Sequence, residues 1–331
     1  MLEGGLIMLA VVLDKSCSSE KMTFKQIPVP TVKLGWVLIK VKAFGLNHSE
    51  VLLRQFEVDQ DYINKPIVPG IECVGEIADP SNSNFKVGDR VIALMGGMGR
   101  SFNGSYSEYA LLPIKNVFKV KSQLAYKKLA AIPETFFTAY GALFECLKIK
   151  ADETLLICGA TSALGIAAIQ LAKANNCQVI VSIRNKNKID CLKKCGVDKF
   201  VLENEDFETV IKQDYPSGVD KVLELIGPKT LLQSMRITKK YGIVCQVGIL
   251  GGKYVLNNFD PIKEIPNSVY LTSFYSNSPT KEVIDEMFSF LETKNIQPII
   301  GKVYPFNKIK EAHYDLENHL VTGKSVVIVA K

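Results

Sequence analysis

The stretch Thr154-Leu-Leu-Ile-Cys-Gly-Ala-Thr-Ser-Ala-Leu-Gly-Ile-Ala-Ala-Ile-Gln-Leu-Ala-Lys173 constrains this chain more than any other. Its apolar residues Leu155–Cys158 run without alternation, as in a strand buried on both faces. Small residues follow, and then Leu164, Ala168 and Leu171 recur at helical spacing. A buried strand, a tight turn and a helix make the first arm of a βαβ unit, which commits the chain to a parallel sheet with helices on its faces. The apolar run is about as long as a membrane span. Gly159, Thr161, Ser162, Gly165 and Gln170 interrupt it, and strand–turn–helix is the better reading.

The pattern continues downstream. Strand-like Val179–Ser182, Phe200–Leu202, Val222–Leu225 and Gly242–Val247 alternate with helical stretches over 188–194 (ended by Gly196), 206–213 and 228–237. Before about Leu129 the texture differs. Short apolar runs (Trp36–Val41, Val74–Ile77, Arg90–Leu94, Tyr109–Leu112) are cut by Pro28, Pro30, Gly35, Pro69–Gly70, Gly88–Asp89 and Gly96–Gly97, the signature of a mostly β domain. After about Thr272 come helical stretches over 280–293 and 308–317 and a last strand over 325–330, which read as a return to the first domain. Met8 opens the first strand, and residues 1–7 read as an extension outside the fold. Two domains suit 331 residues.

The turn after Cys158 suits a dinucleotide. Small residues let the backbone approach a pyrophosphate, and the helix N-terminus offers it N–H groups and a positive dipole end. The usual G-x-G-x-x-G positions read Ala160, Ser162 and Gly165, so only the last glycine is kept. Thr161, Ser162, Ala163, Leu164 and Gly165 are the candidate pyrophosphate contacts. An NAD site commonly carries an acid about 20 residues after the first glycine, for the ribose 2′-OH. The segment 177–188 contains none and ends Ser182-Ile-Arg-Asn-Lys-Asn-Lys188. Ser182, Arg184 and Lys188 therefore read as a 2′-phosphate clamp, favouring NADPH over NADH.

Lys plus Arg less Asp plus Glu is 40 − 34 = +6, too diffuse to argue for nucleic acid. No basic head or cleavage site marks the N-terminus as a secretory signal, and a cytoplasmic location is expected. The eight cysteines form no CxxC pair and read as reduced thiols, while three histidines are a poor supply for a zinc site.

In order along the chain stand Gly45-Leu-Asn-His-Ser-Glu50, Pro69-Gly-Ile-Glu-Cys-Val-Gly75, Gly88-Asp-Arg-Val91, Gly104-Ser-Tyr-Ser-Glu-Tyr109 and Thr138-Ala-Tyr140. The turn Gly159 to Gly165, Gly242-Ile-Val-Cys-Gln-Val-Gly248, Glu311-Ala-His313 and Gly323-Lys-Ser-Val-Val327 follow. With these motifs the chain resembles the medium-chain dehydrogenase/reductase superfamily, and within it the zinc-independent quinone oxidoreductase branch that includes zeta-crystallin. The resemblance implies an α/β fold: a GroES-like β domain from 8–129 and 273–331, with a Rossmann doubly wound parallel-sheet domain from 130–272 inserted. It implies an NADPH cofactor in the cleft between them and a homodimer or homotetramer. It also implies that Asn47 contacts the nicotinamide end, that Thr138 and Gly248 lie near it, and that Tyr62 is a pocket tyrosine able to donate its hydroxyl proton. The loops Phe56–Asn64 and Gly96–Gly104 have no readable pattern. Glu203 departs from the family by standing where relatives often place a tyrosine near the adenosine half.

Zinc-dependent members carry a cysteine where this chain has Asn47 and a histidine where it has Ile71, and the four-cysteine lobe expected after Val91 is missing. No metal is therefore expected. Without a Lewis acid, hydride acceptors that spread the developing charge by conjugation are favoured. The expected substrate is a small electrophile, a quinone or an α,β-unsaturated carbonyl. Two alternatives stay open: an enoyl-thioester (enoyl-CoA or ACP) reductase, and a non-catalytic NADPH-binding protein that senses redox state or binds RNA. A zinc alcohol dehydrogenase is the weakest.

Overall fold

The computed structural model describes residues 6–184, 186–203 and 207–329. Met1 to Gly5, the expected helix start Asp206 and the expected strand end Ala330 lie outside them. The chain forms two compact units. One comprises the chain through Glu134, Asn277–Glu286 and the chain from Gln297; the other comprises Thr135–Ser276 and Met287–Ile296.

In chain order the first unit has strands β1 (Ile7–Val12), β2 (Thr23–Pro28), β3 (Trp36–Gly45), β4 (Glu72–Asp79), β5 (Arg90–Leu94), β6 (Tyr109–Pro113) and β7 (Val117–Lys119). The second has β8 (Thr154–Cys158), β9 (Gln178–Ile183), β10 (Lys199–Leu202), β11 (Val219–Glu224), β12 (Thr238–Gln246) and β13 (Tyr270–Ser273). The tail adds β14 (Ile300–Pro305) and β15 (Lys324–Ile328) to the first unit. There β14-β15-β3-β4-β5-β7 form one sheet, β6 pairs with β3, and β1-β2 stand as a hairpin. The antiparallel register Val326↔Gly45, Val327↔Phe44 seats the chain's end on its N-terminal sheet. Ile7 lies inside β1, opposite Pro28, and does not belong to an extension.

The N-terminal region also holds the helix His48–Gln55, which its β-like texture hides. Its signal is Asn47-x-x-Glu50: the Asn47 N–H donates to Glu50 Oε2 at 2.9 Å, the return arm of a capping box. The stretch 96–104 is a pinned turn. Trp36 packs edge-on against Phe102 at 5.1 Å, and Arg100 donates to Glu57 Oε2 at 2.8 Å and Ser49 Oγ at 3.0 Å. The Asn64 side chain reaches Ser101 O at 2.9 Å, so both loops without a sequence pattern are held to one another.

In the second unit all neighbours in the order β10-β9-β8-β11-β12-β13 are parallel. The chain builds outward from β8 through β9 to β10, then restarts on the other side of β8 at β11. The order reverses between β8 and β11, and open parallel sheets bind ligands at the carboxyl ends of strands at such a point. All of β8 is buried, and the helix Ala163–Ala174 buries seven of its residues, which is why both read as continuous apolar runs. Leu156, Ile180, Val222 and Val244 belong to one apolar core with Phe207, Leu231 and Met235. Among the described residues no helix is long and apolar enough to cross a membrane.

His313 is a structural residue. Its ring is buried on the helix Ile309–Glu317, with Nε2 at 3.0 Å from the Tyr106 hydroxyl. Burial first, and the Arg54 charge second, lower its pKa to about 3. The fold holds the imidazole neutral while the unfolded chain takes a proton below pH ~6.5, so stability is full above that pH and falls below it. We expect a loss of about 1.4 kcal/mol per pH unit, roughly 2 kcal/mol by pH 5. Urea midpoints of wild type and His313→Gln across pH 7 to 5 check this; equal slopes would refute it.

Candidate active site

Each unit holds one cluster of candidate site residues. In the second, Gly159 turns the chain out of β8 at φ +84°, where a glycine is needed. Ser162 caps the following helix: its Oγ accepts from the Gly165 N–H at 3.0 Å and donates to Gly159 O at 2.9 Å. A Cβ on Gly165 would lie 2.7 Å from the backbone of Ala160, so glycine here is what lets helix and turn touch. Thr161, Ser162, Ala163 and Leu164 remain partly exposed around that turn. The Ala163 and Leu164 amides fall in the first helical turn, where no intrahelical acceptor exists. Glycine closeness, a capping hydroxyl and first-turn amides fit the diphosphate of a dinucleotide.

At the end of β9, Ser182 is buried, Arg184 is 68% exposed, and Lys188 follows in a short 3-10 turn. Burial and then the neighbouring Arg184 charge lower the Lys188 pKa, so the two cations share one locality. The segment 177–188 holds no acid, but the next strand brings one: Glu203, which the resemblance already set near the adenosine half. Glu203, just beyond β10, accepts from Ser182 Oγ at 2.7 Å and lies 3.8 Å from Arg184 Nε.

The end of β11 holds a second carboxylate that spacing did not reveal. Glu224, fully buried, accepts from the Ile226 and Gly227 N–H groups at 2.8 and 3.1 Å and from Ser234 Oγ at 2.6 Å. Burial raises its pKa, and the Ser234 and backbone donors pull it back. It shapes the strand end against which Gly248 packs, where a Cβ would meet Leu225 O at 2.3 Å. Thr138 is buried on the helix Pro133–Tyr140 of the same unit.

In the first unit, Asn47 lies in a buried polar network. Its Nδ2 donates to Glu72 Oε1 at 2.9 Å and its Oδ1 accepts from Lys324 Nζ at 2.6 Å. Lys324 also pairs with Glu72 at 2.6 Å, the two side chains 2% and 0% exposed. Glu72 Oε2 accepts from the Glu134 N–H at 2.9 Å, and Glu50 Oε1 from the Ile71 N–H at 3.2 Å. Burial pushes the Glu50 pKa up to about 7; Lys324 lowers it and Glu72 raises it. Gly45 leaves the space, since a Cβ there would meet Lys324 Cε at 2.3 Å and Glu72 Oε1 at 2.5 Å. Tyr62 is not part of this network. It is 65% exposed, its pKa raised by local desolvation and then by Glu57.

Comparison with known proteins agrees with this architecture. Residues 33–122 match the alcohol dehydrogenase GroES-like domain family, and residues 163–293 the family described as zinc-binding dehydrogenase. Human quinone oxidoreductase is 29% identical over 315 residues, covering 92% of each chain. A mycobacterial protein solved in complex with NADPH superposes with a TM-score of 0.86 at 23% identity, covering 97% of this chain and 100% of that one. CurK enoyl reductase gives 0.82 at 22% identity, with 98% and 99% covered. The chain thus carries both domain families of a medium-chain dehydrogenase/reductase, is similar along its length to the quinone oxidoreductases, and is an oxidoreductase.

Proposed function

We propose that this enzyme is an NADPH-dependent, metal-independent reductase acting on a quinone or α,β-unsaturated carbonyl. The observation that carries the proposal is the glycine-tight turn Gly159–Gly165 at the reversal point of a parallel sheet, with Arg184 and Lys188 beyond the next strand. The similarity to human quinone oxidoreductase supports the substrate class, and the mycobacterial NADPH complex the cofactor.

Thr161, Ser162, Ala163, Leu164 and Gly165 would hold the diphosphate, with Ser182, Arg184 and Lys188 at the ribose phosphate. The nicotinamide end falls to Asn47, Thr138 and Gly248. When bound, the cofactor supplies the hydride. The chain's part is to orient and to donate. Lys324 and Glu72 fix which way the Asn47 amide points, because one takes its oxygen and the other its N–H. Tyr62, exposed and protonated at neutral pH, is our candidate proton donor to a substrate oxygen.

The metal-independent reading is supported by the same network. Ile71 is apolar and buried, and the Lys324 ammonium already neutralises Glu72 beside Asn47, so these residues do not fit a zinc ion. All eight cysteines are free thiols, in keeping with a reducing, cytoplasmic location. We assign a homodimer or homotetramer. Among the described residues the outer strand β13 pairs only with β12 and carries Tyr270, 55% exposed, an open edge of the kind that pairs between subunits.

Steady-state NADPH oxidation with a quinone panel, against an enoyl-CoA and no acceptor, tests the proposal. Turnover with a quinone or enone, and tighter binding of NADPH than NADH, are expected. Turnover only on the enoyl-CoA moves the substrate to thioesters. Binding without turnover on any acceptor removes the enzyme reading, and equal affinity for both nucleotides removes the role given to Arg184 and Lys188.

A further inference from the structure

We propose that Glu203 limits how strongly this enzyme prefers a 2′-phosphorylated nucleotide, because its carboxylate engages the Ser182 hydroxyl and faces Arg184 where the phosphate would need both. This rests on the nicotinamide reading above.

The placement follows from strand register. In the parallel pair β9–β10, Val201 lies opposite Ser182 and Leu202 opposite Ile183, so the next residue on each strand, Glu203 and Arg184, leaves the sheet side by side. The Glu203 N–H donates to Ile183 O at 2.9 Å, carrying the pairing one step past the strand ends. The carboxylate is held: Ser182 Oγ donates to Oε1 at 2.7 Å, while Oε2 faces Arg184 Nε at 3.8 Å. The Glu203 side chain is 19% exposed against 68% for Arg184, so the anion is the enclosed partner and the guanidinium the solvent-facing one.

Among the described residues, this locality brings the cations Arg184 and Lys188 near the carboxylate of Glu203. A 2′-phosphate arriving there brings up to two negative charges. It must draw Arg184 from Glu203 and then sit near a carboxylate that repels it. A 2′-hydroxyl brings no charge and meets no such opposition. The basic pair read alone overstates the selectivity, and the carboxylate from the neighbouring strand trims it.

The test uses fluorescence titration of the full-length protein with NADPH and with NADH, for wild type, Glu203→Gln and Glu203→Asp. Gln keeps the shape and an acceptor for Ser182 while removing the charge. NADPH should bind Glu203→Gln roughly 3- to 10-fold more tightly, with NADH changed by less than about twofold. The gain should shrink at high salt, and shrink in an Arg184→Gln background. Glu203→Asp, which keeps the charge, should leave the NADPH-to-NADH ratio within about twofold of wild type. If wild type binds neither nucleotide, the nicotinamide reading fails and takes this inference with it. If wild type binds both and Glu203→Gln leaves their ratio unchanged, the reading stands and the role of Glu203 is discarded.

Discussion

Replacing Lys324 with Met should destabilise the first unit by about 3–5 kcal/mol, the range for removing one partner of a buried ion pair. The Lys324 ammonium is the cation that pairs with Glu72 at 2.6 Å, and it also donates to Asn47. Two carboxylates, Glu50 and Glu72, are fully buried around it. Without the ammonium, Glu72 keeps its bonds to Asn47 and to the Glu134 N–H but loses its counter-charge. Glu50, already raised to about 7 by burial, loses the charge that holds it down and keeps its proton across neutral pH. Met fills a similar volume, so the loss is electrostatic and a partner change should repair it. Lys324→Met with Glu72→Gln should recover more than half of the deficit, since no unpaired ion then remains at Glu72. Urea unfolding of the two single variants and the double variant gives the coupling. A wild-type midpoint for Lys324→Met would show that the pair carries no net stability. The two units need not unfold together, so the transition of the first must be followed by a local probe; the only tryptophan, Trp36, lies in it.

Why this network escaped the sequence, while the dinucleotide turn did not, is a matter of distance along the chain. Thr154 to Lys173 carries its whole signal in one window: an unbroken apolar strand, small residues, and a helical apolar face. The parallel order that follows is likewise written in alternating local patterns. Asn47, Glu72 and Lys324 are brought together only when β15 pairs with β3 and β3 with β4, and no spacing rule spans 277 residues. Glu203, set near the adenosine half by the resemblance alone, is a shorter instance of the same limit, since its contacts with Ser182 and Arg184 were not legible. A search for an acid along the second strand follows the chain, but the ribose side of a parallel sheet is lined by the ends of adjacent strands, and the acid stood on the neighbour. The helix His48–Gln55 is different, for its start was legible in Asn47-x-x-Glu50 and was masked by β-like surroundings.

Gly165→Val should cost about 3 kcal/mol, the upper end for overpacking, and with it most of the affinity for a pyridine nucleotide. The first atom of any side chain would sit 2.7 Å from Ala160 Cα and O, closer than a real Cβ approaches. What it meets is backbone, which cannot rotate aside, so the helix Ala163–Ala174 must slide away from the turn. The slide breaks the bond from the Gly165 N–H to Ser162 Oγ at 3.0 Å and shifts the first-turn amides together. Ser162→Ala separates the two effects. It removes the cap at about 1 kcal/mol but leaves the helix seated. Gly165→Ala should fall between the two in stability, and Ser162→Ala should keep more nucleotide affinity than either glycine variant. Denaturant midpoints and NADPH titrations on the three variants establish the ranking. Wild-type stability and affinity in Gly165→Val would mean that helix and turn need not touch, and the close-approach argument for the diphosphate would then fail at its first step.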